Sequence, residues 1–123
     1  MVIDGMDDWI KKLETMKKDF PKETEKFLML KAEETKGNAK KYTPVDEGTL
    51  RNGWHRKKGG NFKQILFNMV PYAGHIEYGH RIVRNEKTIG YVKGYRMLHK
   101  AMNRTKLSFY KDLGTVYKNL IEK

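Results

Sequence analysis

The stretch at residues 70–80, VPYAGHIEYGH, decides how this chain folds. Pro71 has no N–H to donate to a sheet, so a strand before it must end there or lie at an edge. After Pro71, side chains recur at the three- and four-residue spacing of a helical turn. The residues at this spacing are Tyr72, Ala73, Ile76 and Glu77. Gly79 stands where a left-handed C-terminal cap is needed, which predicts a glycine exit into a new strand.

A second punctuated stretch lies upstream at residues 43–54, TPVDEGTLRNGW. Pro44 ends the preceding helix and fixes one backbone dihedral, and Asp46 can accept hydrogen bonds from backbone N–H groups ahead of it. Residues 44–48 are therefore expected to form a tight connection. Leu50, Trp54 and Arg56 follow this connection and are able to supply a first strand.

Two further segments have the composition of strands. Residues 62–69 alternate in the manner of a strand and follow a flexible basic turn, KKGGN at 57–61, which predicts a hairpin with the first strand. Residues 81–83 and 89–92 are short and β-prone, separated by RNEKT. They predict either a second hairpin or an extended loop.

Helical spacing is present at both ends of the chain. The N-terminal positions are Trp9, Leu13, Met16 and Phe20, followed by Leu28, Ala32, Thr35, Ala39 and Tyr42. Pro21 lies between the two sets, so the pattern allows either two helices or one kinked helix. A long C-terminal helix is predicted from Leu98, Met102, Thr105, Phe109, Val116 and Leu120.

The predicted fold class is α+β. It consists of N-terminal helices, an antiparallel sheet of about four strands, and the long C-terminal helix packed on one face of that sheet. The 123 residues are expected to form a single domain. No leader peptide and no apolar run long enough to cross a membrane is visible, so we expect a soluble protein without a membrane partner.

The positive charge is concentrated in the second part of the chain. Residues 1–42 hold 10 Lys and Arg against 9 Asp and Glu, whereas residues 43–123 hold 16 against 6. Such a field attracts anionic partners, either nucleic acid or an acidic protein surface. A solvated basic surface without a dedicated ligand is the alternative.

The sequence offers little support for catalysis. Cysteine is absent, which excludes thiolate nucleophiles and thiolate metal sites. A metal site is not expected at His55, His75, Glu77 and His80, because His75 and His80 are five residues apart and do not share a helix face. Asp46, Glu47 and Glu77 lack the accompanying pattern of a metal-dependent nuclease, and Ser108 is the only serine. We therefore expect neither an enzyme nor a cofactor. For Glu77, pairing with an Arg or with backbone N–H groups is favoured instead.

A nucleic-acid-binding protein is the alternative function. Arg and Lys residues between Arg81 and Lys106, interleaved with Tyr91 and Tyr95, are able to contact phosphates and stack on bases. However, no helix-turn-helix or other standard reading element is visible.

Taken together, the two motifs resemble a family of tailed-bacteriophage proteins, which includes prophage members. Its members are small head–tail joining or tail-completion proteins. The residues that carry the resemblance are Pro44, Val45, Asp46, Gly48, Leu50 and Arg51, and then Tyr72, Ala73, Ile76, Glu77, Gly79 and His80. GYRML at 94–98, leading into the last helix, fits the same pattern. The resemblance extends from about residue 36 to the C-terminus, and the N-terminal third departs most from the family.

The resemblance implies a structural virion protein at the phage neck. Such a protein closes the end of the tail tube and joins the tail to the head connector, as a ring of identical subunits that is typically six-fold. The implied partners are other copies of the chain, the tail tube protein and head-connector proteins, with non-specific DNA contact as a further option. Assembly would take place in the cytoplasm of the host bacterium.

Two sets of residues are predicted to serve this function. The structural or interface set comprises Pro44, Asp46, Gly48, Leu50, Arg51, Tyr72, Ala73, Ile76, Glu77, Gly79 and His80. A basic loop at 81–93 is expected to face either a neighbouring subunit or the DNA channel. Its basic residues are Arg81, Arg84, Lys87 and Lys93.

Overall fold

A computed structural model describes residues 6–44 and 48–122. The elements are α1 (Met6–Tyr42), α2 (Gly48–Asn52), β1 (Trp54–Gly60), β2 (Lys63–Asn68), α3 (Ala73–Tyr78), β3 (Gly79–Arg84), β4 (Lys87–Lys93) and α4 (Met97–Glu122). The α+β class and the long C-terminal helix are confirmed. The four antiparallel strands form two separate two-stranded sheets, β1–β2 and β3–β4.

The N-terminal segment is one helix, and Pro21 lies inside it. Of the two alternatives that the sequence left open, the single helix is therefore the one observed. Thr35 and Ala39 of the predicted seam are buried. The helix ends where the Thr43 hydroxyl donates to the Ala39 carbonyl (2.7 Å) and accepts from Trp54 Nε1 (2.9 Å). These two bonds tie the end of α1 to the start of β1.

Helices α1 and α4 pack side by side in opposite directions. Their contacts run down one helix and up the other: Thr24 with Tyr117 (3.0 Å), Lys31 with Asp112 (2.5 Å), and Thr35 with Thr105 (2.8 Å). Aromatic pairs alternate with these polar ones, namely Phe20 with Tyr117 and Phe27 with Phe109. Polar and aromatic contacts thus hold residues 20–35 of α1 to residues 105–117 of α4.

The position of α4 differs from the prediction. Its main partner is α1, while β2 faces it across an open groove of about 790 Å³. The buried positions of α4 are Met97, Ala101, Thr105 and Leu120, whereas Met102 lies on the groove and is 57% exposed. Apart from Met102, the predicted face is buried or half-buried, but the element that buries it is a helix and not a sheet.

The β1–β2 hairpin lies against α1. Arg56 in β1 forms an ion pair with Glu33 of α1, and the Phe62 backbone N–H at the hairpin turn donates to Glu25 of α1. Two local predictions were wrong here. Leu50 belongs to α2 and not to a strand, and the expected basic turn at 57–61 is largely strand, because β1 continues to Gly60.

The β3–β4 hairpin confirms the first of the two alternatives for residues 81–92. Arg84 pairs with Lys87 across a two-residue turn, Asn85–Glu86. Both turn residues have positive φ, 52° and 64°, as a type I′ turn requires. The register shifts between Ile82 and Val83, so a bulge interrupts the ladder near its middle.

The central core is small and joins distant parts of the chain. It contains Ala39, Leu50, Trp54, Met97 and Ala101. These residues come from α1, α2, β1 and α4, so the core forms only when both ends of the chain meet. Half-buried side chains that pack around it include Tyr42, Leu66, Val70, Ala73, Ile76 and Leu98.

Candidate functional site

Glu77 is the pivotal side chain of the segment that opened the sequence analysis. It is buried, and its two carboxylate oxygens accept hydrogen bonds from the backbone N–H groups of Leu98 (2.8 Å) and His99 (3.1 Å). These N–H groups belong to the first turn of α4, which has no acidic residue of its own. A carboxylate suits this position because a helix N-terminus has unpaired donors and a partial positive charge. The expectation that Glu77 bonds backbone N–H groups is confirmed.

Two glycines cross directly beside this cap. Gly79 has a positive φ of 80°, but its ψ of 179° is not that of a left-handed helical residue, so the predicted left-handed cap was wrong. A Cβ there would collide with the Val92 carbonyl oxygen and lie 2.7 Å from Gly94 N. A Cβ on Gly94 would lie 2.6 Å from Gly79 N and 2.5 Å from the Tyr78 carbonyl carbon. Side chains are excluded at both positions because the two backbones touch.

Backbone hydrogen bonds complete this crossing. Tyr95 N donates to the Ile76 carbonyl (2.7 Å), and Arg96 N donates to the Glu77 carbonyl (3.1 Å). We call the set of Glu77, Gly79, Gly94 and these two bonds the buckle. It fastens the end of α3 to the beginning of α4 and fixes the direction in which residues 79–93 leave the body.

The two predicted motifs meet in the core beneath the buckle. Leu50 is 0% exposed, and Ala73 and Ile76 pack around the same cluster. Asn68 links the motifs, since its Nδ2 donates to the Leu50 carbonyl (2.8 Å) and its Oδ1 accepts from Val70 N (2.9 Å). Sequence reasoning missed the role of Asn68, although an amide at the last position of a strand before Val-Pro was a usable indication.

The remaining motif residues have more peripheral positions. Pro44 is half-buried just after α1, and Gly48 begins α2 with open space around it. Arg51 is half-buried, and its Nε lacks a hydrogen-bond partner within the described parts of the chain. Asp46 lies outside the described residues. Tyr72 immediately precedes α3 and is exposed, and its carbonyl accepts from His75 N and Ile76 N.

The histidines form a pair and not a metal centre. The rings of His75 and His80 are 5.2 Å apart, but Glu77 between them is already engaged with α4. Within residues 6–44 and 48–122, no group of three or more His, Cys, Asp or Glu residues is placed to hold a metal ion.

Residues 79–93, comprising β3, β4 and their turn, form what we call the arm. Its apolar side chains are exposed, with Tyr91 at 64% and Ile89 at 56%; the others are Ile82, Val83 and Val92. The main contact of the arm with the body is with α3 at its base. Among the described residues, the sheet consists of β3 and β4, and no further strand pairs with either outer edge.

The arm is also basic. All four predicted residues, Arg81, Arg84, Lys87 and Lys93, are exposed. None of them takes part in the ion pairs found among the described residues. The arm thus presents unpaired positive charge together with an apolar surface.

Three ion-paired groups of the body have shifted pKa values. Hydrogen bonding from Arg56 lowers the pKa of Glu33, although partial burial opposes the shift. A hydrogen bond from Lys31 likewise lowers the pKa of Asp112. Burial alone would lower the pKa of Lys31, but its bonds to Asp112 and Glu34 outweigh burial and raise it. These ion pairs hold α4 and the β1–β2 hairpin to α1.

Comparison with known families gives the class of the protein. A family model described as "Bacteriophage HK97-gp10, putative tail-component" matches residues 7–79, which is more than half of the 123-residue chain. The class is therefore that of bacteriophage tail components. The chain belongs to the HK97-gp10-like family. No curated protein and no solved structure was found to match it.

The matched range corrects one expectation. The N-terminal third, expected to depart most from the family, lies almost entirely inside the match, so α1 belongs to the family pattern. The match ends at Gly79, the first residue of the arm. None of the helices in the described part of the chain is long and apolar enough to cross a membrane.

Proposed function

We propose that this tail component acts at the phage neck, where it closes the end of the tail tube and joins the tail to the head connector. It would do so as a ring of identical subunits, six in the assembled particle, and without catalytic activity. Family membership supports a role in the tail. The neck position and the ring extend that role, and the arm is the observation that carries them.

The arm has the composition of a subunit contact. An isolated two-stranded hairpin with exposed Ile, Val and Tyr side chains gains little stability from its own body, yet its open edges and apolar surface can be covered by another chain. The buckle holds its base, so little orientational freedom is lost on binding. A preorganised projection of this kind is suited to contact with a neighbour.

A ring requires each subunit to use two different surfaces. In a head-to-tail arrangement, the arm of one subunit contacts a different region of the next subunit. The ring closes when a whole number of these rotations makes one full turn. We propose that the apolar residues of the arm provide the contact area. Arg81, Arg84, Lys87 and Lys93 would then orient it against acidic groups of the neighbouring subunit, the tail tube protein or the head connector.

The test is electron microscopy of lysates from a producing strain that lacks this gene. We expect filled heads and separate tails, or tails with abnormal ends, and recovery of joined particles when the wild-type gene is supplied. Normal particles without the gene would overturn the neck assignment.

Variants then test the arm within the same experiment. Two variants of the arm should fail to restore joining although the purified chains fold normally. One is Ile89→Glu, and the other is the triple charge reversal Arg81→Glu, Arg84→Glu and Lys87→Glu. Leu30→Glu is the matched control, because Leu30 on α1 is 55% exposed and Ile89 is 56% exposed. Joining that survives both arm variants would remove the arm from the interface.

A further inference from the structure

The outer face of α4 carries a row of positive charge that the proposed neck contacts do not use. Lys100, Arg104, Lys111 and Lys118 are all exposed and recur at intervals of four and seven residues, which places them on one side of the helix. This side is opposite the one that packs against α1. At a rise of about 1.5 Å per residue, the row extends over roughly 27 Å. We call these four residues the α4 stripe.

The charge of the stripe is neutralised only weakly within the described residues: Asp112, which is bonded to Lys31, interacts electrostatically with Lys111, and Glu122 lies one turn beyond Lys118. None of its four residues takes part in an ion pair among the described residues, and the face between Lys100 and Lys118 contains no acidic side chain. Lys100 lies over the Tyr42 ring, 6.0 Å from its centroid. The stripe thereby continues towards the last turn of α1, which carries Lys40 and Lys41.

Helix α1 distributes its charge differently from α4. Its lysines are interspersed with acidic residues, and Lys31–Glu34 and Lys36–Glu33 pair along the helix. Two like charges four residues apart, such as Lys100 and Arg104, destabilise a helix by about 0.2–0.5 kcal/mol per pair. Opposite charges at the same spacing stabilise it by a similar amount. A merely solvated face gains nothing from the single sign of the stripe.

We propose that the α4 stripe binds the phosphate backbone of duplex DNA. Duplex DNA carries one negative charge per about 1.7 Å of its axis, so it presents phosphates along the full length of the stripe. A protein partner fits less well, because the centres of protein interfaces are rich in apolar residues and poor in lysine. Leu107 is the one apolar residue on this face between Lys100 and Lys118.

Contact with a protein neighbour and contact with DNA, which the sequence left as alternatives for the basic loop at 81–93, are thereby given to two different surfaces. The arm combines charge with an apolar surface and is suited to a protein neighbour, whereas the α4 stripe offers charge almost alone. Binding of DNA by the isolated chain does not require the neck assignment, so either proposal can fail without the other.

The experiment measures binding of the full chain to a labelled duplex by fluorescence anisotropy, at several salt concentrations. The test variant carries Arg104→Gln, Lys111→Gln and Lys118→Gln; Lys100 is kept because it contacts Tyr42. The control carries Arg81→Gln, Arg84→Gln and Lys87→Gln, which removes an equal number of positive charges, three, from the arm. Circular dichroism and thermal unfolding verify that both variants fold.

The expected result is a change in salt dependence for the stripe variant alone. Each phosphate contact contributes about 0.9 to the slope of log affinity against log salt, so three lost contacts should reduce the slope by about 2.7. Between about 50 and 200 mM NaCl, the weakening of binding by salt should be roughly 40-fold smaller than for the wild type. The arm variant should keep the wild-type slope.

Three results would overturn the proposal. The first is an absence of salt-dependent binding by the wild-type chain. The second is an equal loss of affinity in both variants, and the third is a loss of affinity in the arm variant alone. Equal loss would indicate attraction by net charge without a site. Loss from the arm variant alone would move the contact to residues 79–93.

Discussion

The two hairpins of this chain have the same topology and opposite surroundings. Each consists of two antiparallel strands joined by two residues. In β1–β2, residues 64–68 are half-buried, and Arg56 and Phe62 are tied to carboxylates of α1. In the arm, most side chains are exposed, and the body is contacted mainly through the base.

The difference shows which part of the structure the isolated chain stabilises. The β1–β2 hairpin helps to build the body, because its residues contribute to the core and cover α1. The arm does little for the body, so its apolar residues are better explained by a partner than by folding. Unfolding measurements on the monomer should therefore detect changes in the first hairpin and overlook changes in the second, except at the buckle.

The largest effect is expected at the base of the arm. Gly79→Val should reduce the free energy of unfolding by about 3 kcal/mol or more, because the side chain is disfavoured at positive φ and meets the backbone of residues 92–94. Gly90→Val is the control in the same hairpin. A Cβ there would meet only Ile82 Cδ1 at 3.5 Å, so a change within about 0.5 kcal/mol is expected. Urea denaturation that finds equal losses for the two variants would mean that the crossing is unimportant for stability.

A medium effect should distinguish the two hairpins directly. Ile65→Ser in β2 should cost about 1–2 kcal/mol, because it removes a half-buried apolar side chain. Ile89→Ser in β4 should change stability by less than about 0.5 kcal/mol, because Ile89 is already exposed. Both substitutions replace the same residue in a strand, so differences in strand propensity are matched. Equal costs would show that the arm packs on the body more closely than its exposure indicates.

The smallest effect concerns the tie between Glu33 and Arg56 and depends on pH. The pKa of Glu33 is lowered in the folded chain, so its contribution to stability is present above the ordinary value of 4.5 and is lost as the pH falls through the lower folded value. Glu33→Gln should therefore destabilise the chain at pH 7 by at most about 1 kcal/mol, as is usual for exposed ion pairs.

The same two proteins should become alike in strong acid. Below the folded pKa of Glu33, its carboxyl is neutral and the wild type resembles the Gln variant, so their urea midpoints should converge. Glu14→Gln on the exposed side of α1 serves as the control and should match the wild type at every pH. A difference between wild type and Glu33→Gln that persists in acid would exclude the ion pair as its cause.

Local rules predicted the stretch at residues 70–80 well. Pro71, the helical spacing around Ile76 and the glycine exit at Gly79 act within a few residues, and the structure confirms the strand, the helical turn and the new strand. Leu50 was misplaced because a five-residue helix is too short to establish a helical period. Three of the motif residues, Leu50, Ala73 and Ile76, nevertheless pack in one core cluster.

Features that depend on distant contacts were beyond the sequence. Gly94 entered the prediction only as the first residue of GYRML at 94–98, because its need for a bare backbone comes from Gly79, fifteen residues earlier. The partner of α4 was also misjudged: an amphipathic pattern shows that a face is buried but not whether a helix or a sheet buries it. Lys57 and Lys58 were assigned to a turn on composition alone, although β1 includes both.

The crossing at Gly79 and Gly94 has a consequence for how the length of this protein can vary. The chain enters and leaves the arm at a single point, so residues 79–93 can change in length without moving the elements on either side. Adding two residues to each strand would extend its reach by about 6.7 Å while keeping every side chain on its original face. The helices and the core would not sense the change, and the distance to a partner could be adjusted independently of the fold that holds it.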